Sequence, residues 1–177
     1  MSTTKWALDP THSEVQFKVK HLMISTVSGF FKKFESSVET EGEDFTTAKI
    51  HFSADVDSIN TNNEQRDGHL KTGDFFDAAA HPQIKFESAR LEKVSGDNYK
   101  LHGNFNMKGI SKPAVLDVEY GGIAIDSYNN TRAGFTVNGK INRQDFGMNF
   151  GAVTETGGLV LGNDITLHSN IEFIKQA

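Results

Sequence analysis

Apolar and polar residues alternate along most of this chain, which is the pattern of β-strands that bury one face. The clearest case is the stretch 99–108, where Tyr, Leu, Gly, Phe and Met occupy every second position and polar residues fill the positions between them. Comparable stretches occur at 6–8, 15–21, 24–31, 34–40, 50–56, 84–86, 116–120, 133–141 and 165–173. About eight main strands are predicted, most of them longer than the ~5–6 residues of an average strand.

Long, one-faced strands that follow one another with turns between them favour an antiparallel barrel over a sandwich. We therefore predict an all-β protein, an up-and-down antiparallel barrel of about eight strands, formed as a single domain by residues 1–177. Inward positions mix phenylalanine and isoleucine with small residues such as Gly103, Gly139 and Ser169. This mixture is compatible with a ligand cavity and equally compatible with a filled interior.

One segment does not alternate and predicts a short helical insert, at about residues 61–80. Thr61 and Glu64 have the spacing of a capping box at a helix N-terminus. Asp67 and Lys71 lie one helical turn apart and can form an ion pair, and Gly73 can end the helix in a left-handed conformation.

A second, shorter helical turn is predicted directly after this helix. Asp74 can cap it, Phe75 and Phe76 would lie on it, and Pro82 disfavours helix at the residue before it. Two interpretations remain open for the insert: a lid over a cavity, or a structural plug that closes one barrel end.

Composition excludes several classes of function. The 177-residue chain has a net charge of −5, so nucleic acid is not an expected partner. It has no cysteine, and no apolar run approaches the ~20 residues of a membrane span. Residues 1–6 lack the apolar core of a signal peptide, which predicts a cytoplasmic protein; a chain whose signal peptide had been removed would be periplasmic.

The histidines give no sign of catalysis or metal binding. His51, His102 and His168 fall on polar strand faces, and only His21 falls on an apolar one. Neither the spacing of a metal-binding histidine pair nor the Gly-x-Ser-x-Gly motif of a serine nucleophile occurs. We therefore predict no metal, no cofactor and no enzymatic activity.

Several stretches together resemble the YceI-like family, a group of polyisoprenoid-binding proteins with a lipocalin-like barrel. The most characteristic are Arg-Asp-Gly-His-Leu-Lys at 66–71, Asp-Phe-Phe-Asp at 74–77 and His-Pro-Gln-Ile-Lys-Phe at 81–86. Further similar segments lie at 6–13, 15–23, 27–34, 58–61, 109–113 and 141–147. The resemblance runs in order over nearly the whole chain.

This resemblance implies an extended eight-stranded antiparallel lipocalin-like barrel with a short helical insert. It further implies an elongated apolar tunnel that holds a long-chain amphiphile: a polyisoprenoid, an isoprenoid quinone or a fatty-acid derivative. It also implies a non-catalytic role in transport or storage, with homodimers among such proteins. The alternatives are a filled barrel that binds another protein in a stress response, and an enzyme acting on a lipid or quinone with His21 or His69 as acid–base.

Candidate ligand-binding residues follow from the predicted faces. We expect the tunnel lining to include Phe17, Val19, His21, Phe30, Phe52, Phe86, Phe105, Phe135, Ile141 and Phe173. We expect the mouth to include Arg66, His69 and Phe76 from the insert, and Arg143 and Phe146 from the turn at 142–147. In that turn, Gly147 supplies a positive φ, and Asp145 either binds the backbone or meets the ligand.

Overall fold

The strands form one antiparallel sheet that closes on itself. A computed structural model describes residues 2–22, 24–151 and 161–177. Within these ranges the strand segments are β1 (Thr3–Leu8), β2 (Glu14–His21), β3 (Ser25–Phe31), β4 (Phe34–Glu41), β5 (Asp44–Asp55), β6 (Ile59–Asn60), β7 (Gln83–Ser95), β8 (Asn98–Met107), β9 (Ile110–Ile125), β10 (Thr131–Asn142) and β11 (Asp164–Lys175). One α-helix, α1 (Glu64–Leu70), lies between β6 and β7.

Eleven segments make an eight-stranded barrel because three strands are interrupted. β1 and β2 both pair with β11, one after the other, and so occupy a single strand position. β3 pairs with β2 and β4 pairs with β1, so β3 and β4 share the next strand position. β6 pairs with β3 and β5 pairs with β4, so β5 and β6 share the position after that. The ring closes where β1 meets β11. The predicted eight-stranded antiparallel barrel is confirmed.

Alternation places the core inside this ring. In β8, Leu101, Gly103, Phe105 and Met107 are buried, as their period of two requires. The facing positions of neighbouring strands are also buried, for example Phe86 opposite Phe105. The large number of phenylalanines is thus explained by the barrel interior.

The insert contains one short helix rather than two. α1 begins after Asn63, whose side chain accepts a hydrogen bond from the amide of Arg66 at 3.0 Å, so Asn63 is the N-cap in place of Thr61. It ends at Leu70 with Lys71 as C-cap, before Gly73. Residues 71–80 form consecutive turns, so the predicted second helical turn is wrong. None of the helices in the described ranges is long and apolar enough to cross a bilayer.

Thr61 and Asp67 fasten the start of the insert. Thr61 is buried, and its amide and its hydroxyl both donate to Asp67 Oδ1. Arg66 donates from Nε to Thr61 Oγ1 at 2.8 Å and from its terminal nitrogen to Thr61 O at 2.6 Å. Within the described ranges, Asp67 forms no ion pair with Lys71; its carboxylate is committed to the backbone and hydroxyl of Thr61.

Candidate functional site

The barrel encloses an apolar cavity of about 200 Å³. Among the described residues that line it, four are polar: Gln16, Ser36, Ser169 and Arg143. The others are aliphatic or aromatic side chains contributed by every strand position of the barrel and by the insert. Such a surface can bury hydrocarbon but offers few hydrogen bonds to a polar ligand.

Most of the residues expected at the site lie around this cavity. The structure places there Phe17, Val19, Phe52, Phe76, Phe86, Phe105, Phe135, Ile141, Arg143 and Phe173. Their side chains converge from six strands, the insert and the start of the 143–146 turn. Their contact with a ligand stays a prediction.

Phe30 does not line the cavity, and its predicted inward position is wrong. It is only half-buried, and the Lys32 ammonium lies 5.3 Å from its ring centroid. Its neighbour Phe31 is 7% exposed and faces the cavity instead. Two adjacent strand residues point to opposite faces, so only one of this pair could be inward.

His21 and Phe146 also lie away from the cavity wall. His21, the last residue of β2, is exposed, although it lies opposite Ser25 of β3 and forms a β-bridge with Leu161. Phe146 is 2% exposed and belongs to the hydrophobic core under the 143–146 turn. The period of two gives His21 the phase of Phe17 and Val19, but among these three it is the exposed residue.

Arg66 and His69 lie on the insert but outside the cavity lining. Arg66 is exposed and its guanidinium is engaged by Thr61. The His69 side chain is 41% exposed, and its Nε2 lies 2.8 Å from Asp74 Oδ2. The imidazole packs edge-on against Phe75 and Phe150, with ring centroids 5.1 and 4.7 Å away.

Among the described residues that line the cavity, Arg143 is the charged one, and it is 1% exposed. Its guanidinium donates four hydrogen bonds to backbone carbonyls: to Gly162 at 2.9 Å, Met148 at 2.8 Å, Phe150 at 2.7 Å and Leu161 at 3.1 Å. Burial lowers the pKa of this guanidinium. The carbonyl dipoles therefore compensate the charge, and the side chain holds two separate backbone segments together.

The turn that carries Arg143 is fixed by local hydrogen bonds and by the conformation of Gly147. Residues Arg143–Phe146 form a 3-10 helix, and the Asn142 side chain accepts from the amide of Gln144 at 2.9 Å. Gly147 ends it with φ of 75°, which confirms the predicted positive φ. Asn142, rather than Asp145, supplies the side-chain bond to the backbone of this turn.

Contacts between loops close the barrel end near α1. The Lys108 ammonium, on the β8–β9 hairpin, donates to Gly73 O at 2.7 Å and to Gly147 O at 3.4 Å. Phe75 contacts Phe150, with ring centroids 5.4 Å apart. The insert, the hairpin and the 143–151 segment thus form a joined cover over this end.

The opposite end is filled by an aromatic cluster that the sequence did not single out. Phe45 lies 5.0 Å from both the Trp6 and the Phe135 ring centroids, and 5.5 Å from that of Tyr120. Burial raises the pKa of Tyr120. Phe45 directly follows a polar turn, and the β4–β5 register shift near Glu39 and Glu41 obscures its phase. The cavity therefore has an aromatic floor and a polar group, Arg143, near its covered end.

Asp9, His12 and Glu172 form a cluster with the spacing of metal ligands. The Arg132 guanidinium lies among them, 2.7 Å from Asp9 Oδ2 and 2.6 Å from Glu172 Oε2. It occupies the position from which a cation would bind both carboxylates. The arrangement is an ion-pair network that joins the β1–β2 interruption to β10 and β11.

The chain is similar to proteins of known sequence and structure. UPF0312 protein SA2479 of Staphylococcus aureus (strain N315) is 38% identical over 171 residues, covering 96% of this chain and 97% of that protein. The crystal structure of the Campylobacter jejuni YCEI protein is 34% identical, covers 89% of this chain and 90% of that one, and superposes with a TM-score of 0.78.

Two more distant structures share the fold. A polyisoprenoid binding domain from Saccharophagus degradans, implicated in plant cell wall breakdown, has a TM-score of 0.69 at 14% identity and covers 97% of this chain and 98% of that one. Burkholderia cenocepacia BcnA has a TM-score of 0.81 at 21% identity, covering 93% of this chain and 98% of that one.

The sequence model of the YceI-like domain family matches residues 6–173 of this chain. The chain therefore belongs to the YceI-like family.

Proposed function

We propose that this protein binds the hydrocarbon chain of an amphiphilic lipid, an isoprenoid or a fatty-acyl derivative, inside its barrel and carries or stores it. The observation that supports this proposal is the apolar cavity, whose described lining residues are aliphatic or aromatic apart from four polar side chains. Burial of each methylene contributes ~0.8 kcal/mol before the costs of binding. Affinity then grows with chain length and needs few polar contacts.

Family membership and fold lend further support. The Saccharophagus degradans domain with the same fold is a polyisoprenoid binding domain. The asymmetry of the cavity suggests how a ligand would lie: its tail toward the aromatic floor at Phe45, its polar head toward Arg143 at the covered end.

The size of the cavity limits what binds without rearrangement. About 200 Å³ lies below the ~300–1,000 Å³ of typical small-molecule sites. A long chain therefore requires wall side chains such as Phe86 and Phe105 to change rotamer, or leaves part of its length outside the barrel.

Native mass spectrometry of the purified protein, followed by organic extraction and mass analysis, tests the proposal. We expect one lipid molecule per chain, with the mass of an isoprenoid or an acyl species. A protein that remains without ligand after incubation with quinone and fatty-acid mixtures would contradict the proposal and favour a protein-binding role.

A further inference from the structure

The seam between β5 and β7 is only partly closed by backbone pairing. The two strands pair from Asp55 opposite Gln83 to His51 opposite Glu87. Next to this ladder, one side-chain bond joins them, from the amide of Ile50 to Ser88 Oγ at 2.8 Å. Residues 44–49 of β5 and 89–95 of β7, all of them described, have no ladder pairing with each other. We name this stretch the β5–β7 slit.

The slit forms part of the cavity wall. Phe45, Ala48 and Ile50 on β5, and Leu91 on β7, face the cavity. Ala48 is 6% and Leu91 is 4% exposed, so these side chains close the slit in this conformation. Along the slit, the cavity is thus separated from solvent by packed side chains and not by backbone hydrogen bonds between the two strands.

Two other incomplete seams, in the part of the chain that the structure describes, are covered by a further segment. β9 and β10 stop pairing beyond Asp117 and Asn138, and the 143–146 turn packs against β9 there. β3 pairs with β6 over two residues only, and the Thr61 methyl group lies close to Gly29 of β3. Along the slit, in contrast, outward-facing residues such as Lys49 and Arg90 are exposed.

We propose that the amphiphile enters and leaves the cavity sideways, through the β5–β7 slit. This inference rests on the proposed function. Separating the two strands here displaces Leu91 and its neighbours but breaks no ladder bond, whereas any paired seam must lose its backbone bonds to open. The covered end is held by Lys108 and Arg143, each bonded to backbone carbonyls. Local opening follows the region with the fewest bonds to break.

A cross-link across the slit tests this route, and the absence of cysteine from the natural chain makes the chemistry specific. Lys49→Cys and Arg90→Cys place thiols on the outer faces of the two strands, where a bismaleimide can join them. The probe is cis-parinaric acid, with uptake followed by stopped-flow fluorescence and release followed by transfer to phosphatidylcholine vesicles. We expect the cross-link to slow both rates roughly tenfold or more, with an unchanged dissociation constant.

Two further cross-linked pairs serve as controls. Glu39→Cys with Lys49→Cys bridges the paired β4–β5 seam, and Gly73→Cys with Lys108→Cys locks the covered end; neither should change the rates. Unchanged rates in the slit-linked protein, or slowing only when the covered end is locked, would overturn the lateral route while leaving the proposed function intact. A protein that binds no probe before cross-linking would instead contradict the proposed function, and with it this inference.

Discussion

Two inward glycines leave room for groups on the adjacent strands. A Cβ on Gly103 would lie 2.4 Å from the backbone oxygen of Glu87 and 2.5 Å from Phe86 Cζ. A Cβ on Gly139 would lie 2.3 Å from Leu116 Cδ2, the end of a flexible side chain. At both positions the small residue serves packing, which is one of the two interpretations that the sequence allowed.

The two glycines should respond differently to substitution by alanine. Gly103→Ala is expected to destabilise the fold by about 1–3 kcal/mol, because a ladder carbonyl cannot move away from the new methyl group. Gly139→Ala should cost less, since Leu116 can rotate toward the cavity. Urea denaturation measures both free energies of unfolding, and an equal loss in the two variants would contradict this assignment.

Arg143 combines a structural role with a place in the cavity wall. Its four carbonyl acceptors lie on residues 148, 150, 161 and 162, which only a planar fork of donors can reach at once. Arg143→Lys keeps the charge and loses this geometry. We expect a loss of at least ~2 kcal/mol in the free energy of unfolding, because buried carbonyls are left without donors.

Arg66→Lys is the matched control for that substitution. Arg66 also donates from two nitrogens, both to Thr61, but its side chain is exposed. Water can replace its bonds, so we expect a loss below ~1 kcal/mol by the same denaturation measurement. If the two Arg→Lys variants were equally stable, burial of Arg143 would not be what makes its geometry necessary.

At the scale of elements, the interruption between β1 and β2 depends on Asp9. Its Oδ1 accepts from the amide and hydroxyl of Thr11, at 3.0 and 2.7 Å, and its Oδ2 meets Arg132 and His12. The Thr11 hydroxyl, and next the Arg132 guanidinium, hold the pKa of Asp9 well below its usual range. The carboxylate thus joins a local turn to β10.

This lowered pKa gives a pH dependence of stability with a definite sign. The contribution of Asp9 is complete above the unfolded carboxyl pKa of ~3.9, and it is lost as the pH falls toward the folded value. Asp9→Asn should therefore cost about 1–3 kcal/mol near neutral pH, and the difference from the natural chain should shrink below pH ~4. Thermal unfolding between pH 2 and 7 measures it.

Asp117→Asn provides the control for the Asp9 variant. Asp117 pairs with Lys100 at 2.6 Å, but the Asp117 side chain is 67% exposed and that of Lys100 is 44% exposed. Its removal should leave stability within ~0.5 kcal/mol at every pH, because water screens such pairs. A difference between Asp9→Asn and the natural chain that stayed constant down to pH 2 would show that hydrogen bonding, not charge, stabilises this turn.

Strand elements could be predicted from the sequence wherever the alternation is unbroken, as in β8 and β10. The prediction failed where local irregularity shifts the phase. Phe31 points inward in place of the predicted Phe30, because the sequence does not say which of two adjacent phenylalanines faces the interior. Phe45 was missed because it lies within the β4–β5 register shift, between Asp44 and Lys49. A period of two carries no information across such a shift.

Contacts between distant segments were beyond sequence reasoning. Nothing local to Asp9 indicates that Arg132 and Glu172 converge on it, and the turn at 142–147 did not reveal which carbonyls Arg143 would reach. The insert was recognised by its lack of alternation. Its cap moved to Asn63 because Thr61 is used in the bonds to Arg66 and Asp67. Capping residues compete, and tertiary contacts decide between them.

At the scale of the whole molecule, the barrel is a closed ring of strands, partly unpaired at the β5–β7 slit, whose interior is largely occupied by phenyl rings. Phe86 and Phe105 lie 4.8 Å apart between centroids, on adjacent strands. Phe17, Phe31 and Phe76 form a second group toward the insert. The length of ligand hydrocarbon that fits such a cavity is set by the space between these rings, and by the space they free when they change rotamer. It is not set by hydrogen bonding.

Phe105→Trp should therefore shorten the longest chain that binds. The larger ring occupies space beside Phe86, and each displaced methylene costs ~0.8 kcal/mol of affinity. Phe30→Trp is the control, since this side chain lies on the strand face away from the cavity. Competition of fatty acids of increasing length against cis-parinaric acid measures the preference. A length profile identical in Phe105→Trp, Phe30→Trp and the natural chain would mean that the ligand does not extend along this part of the barrel.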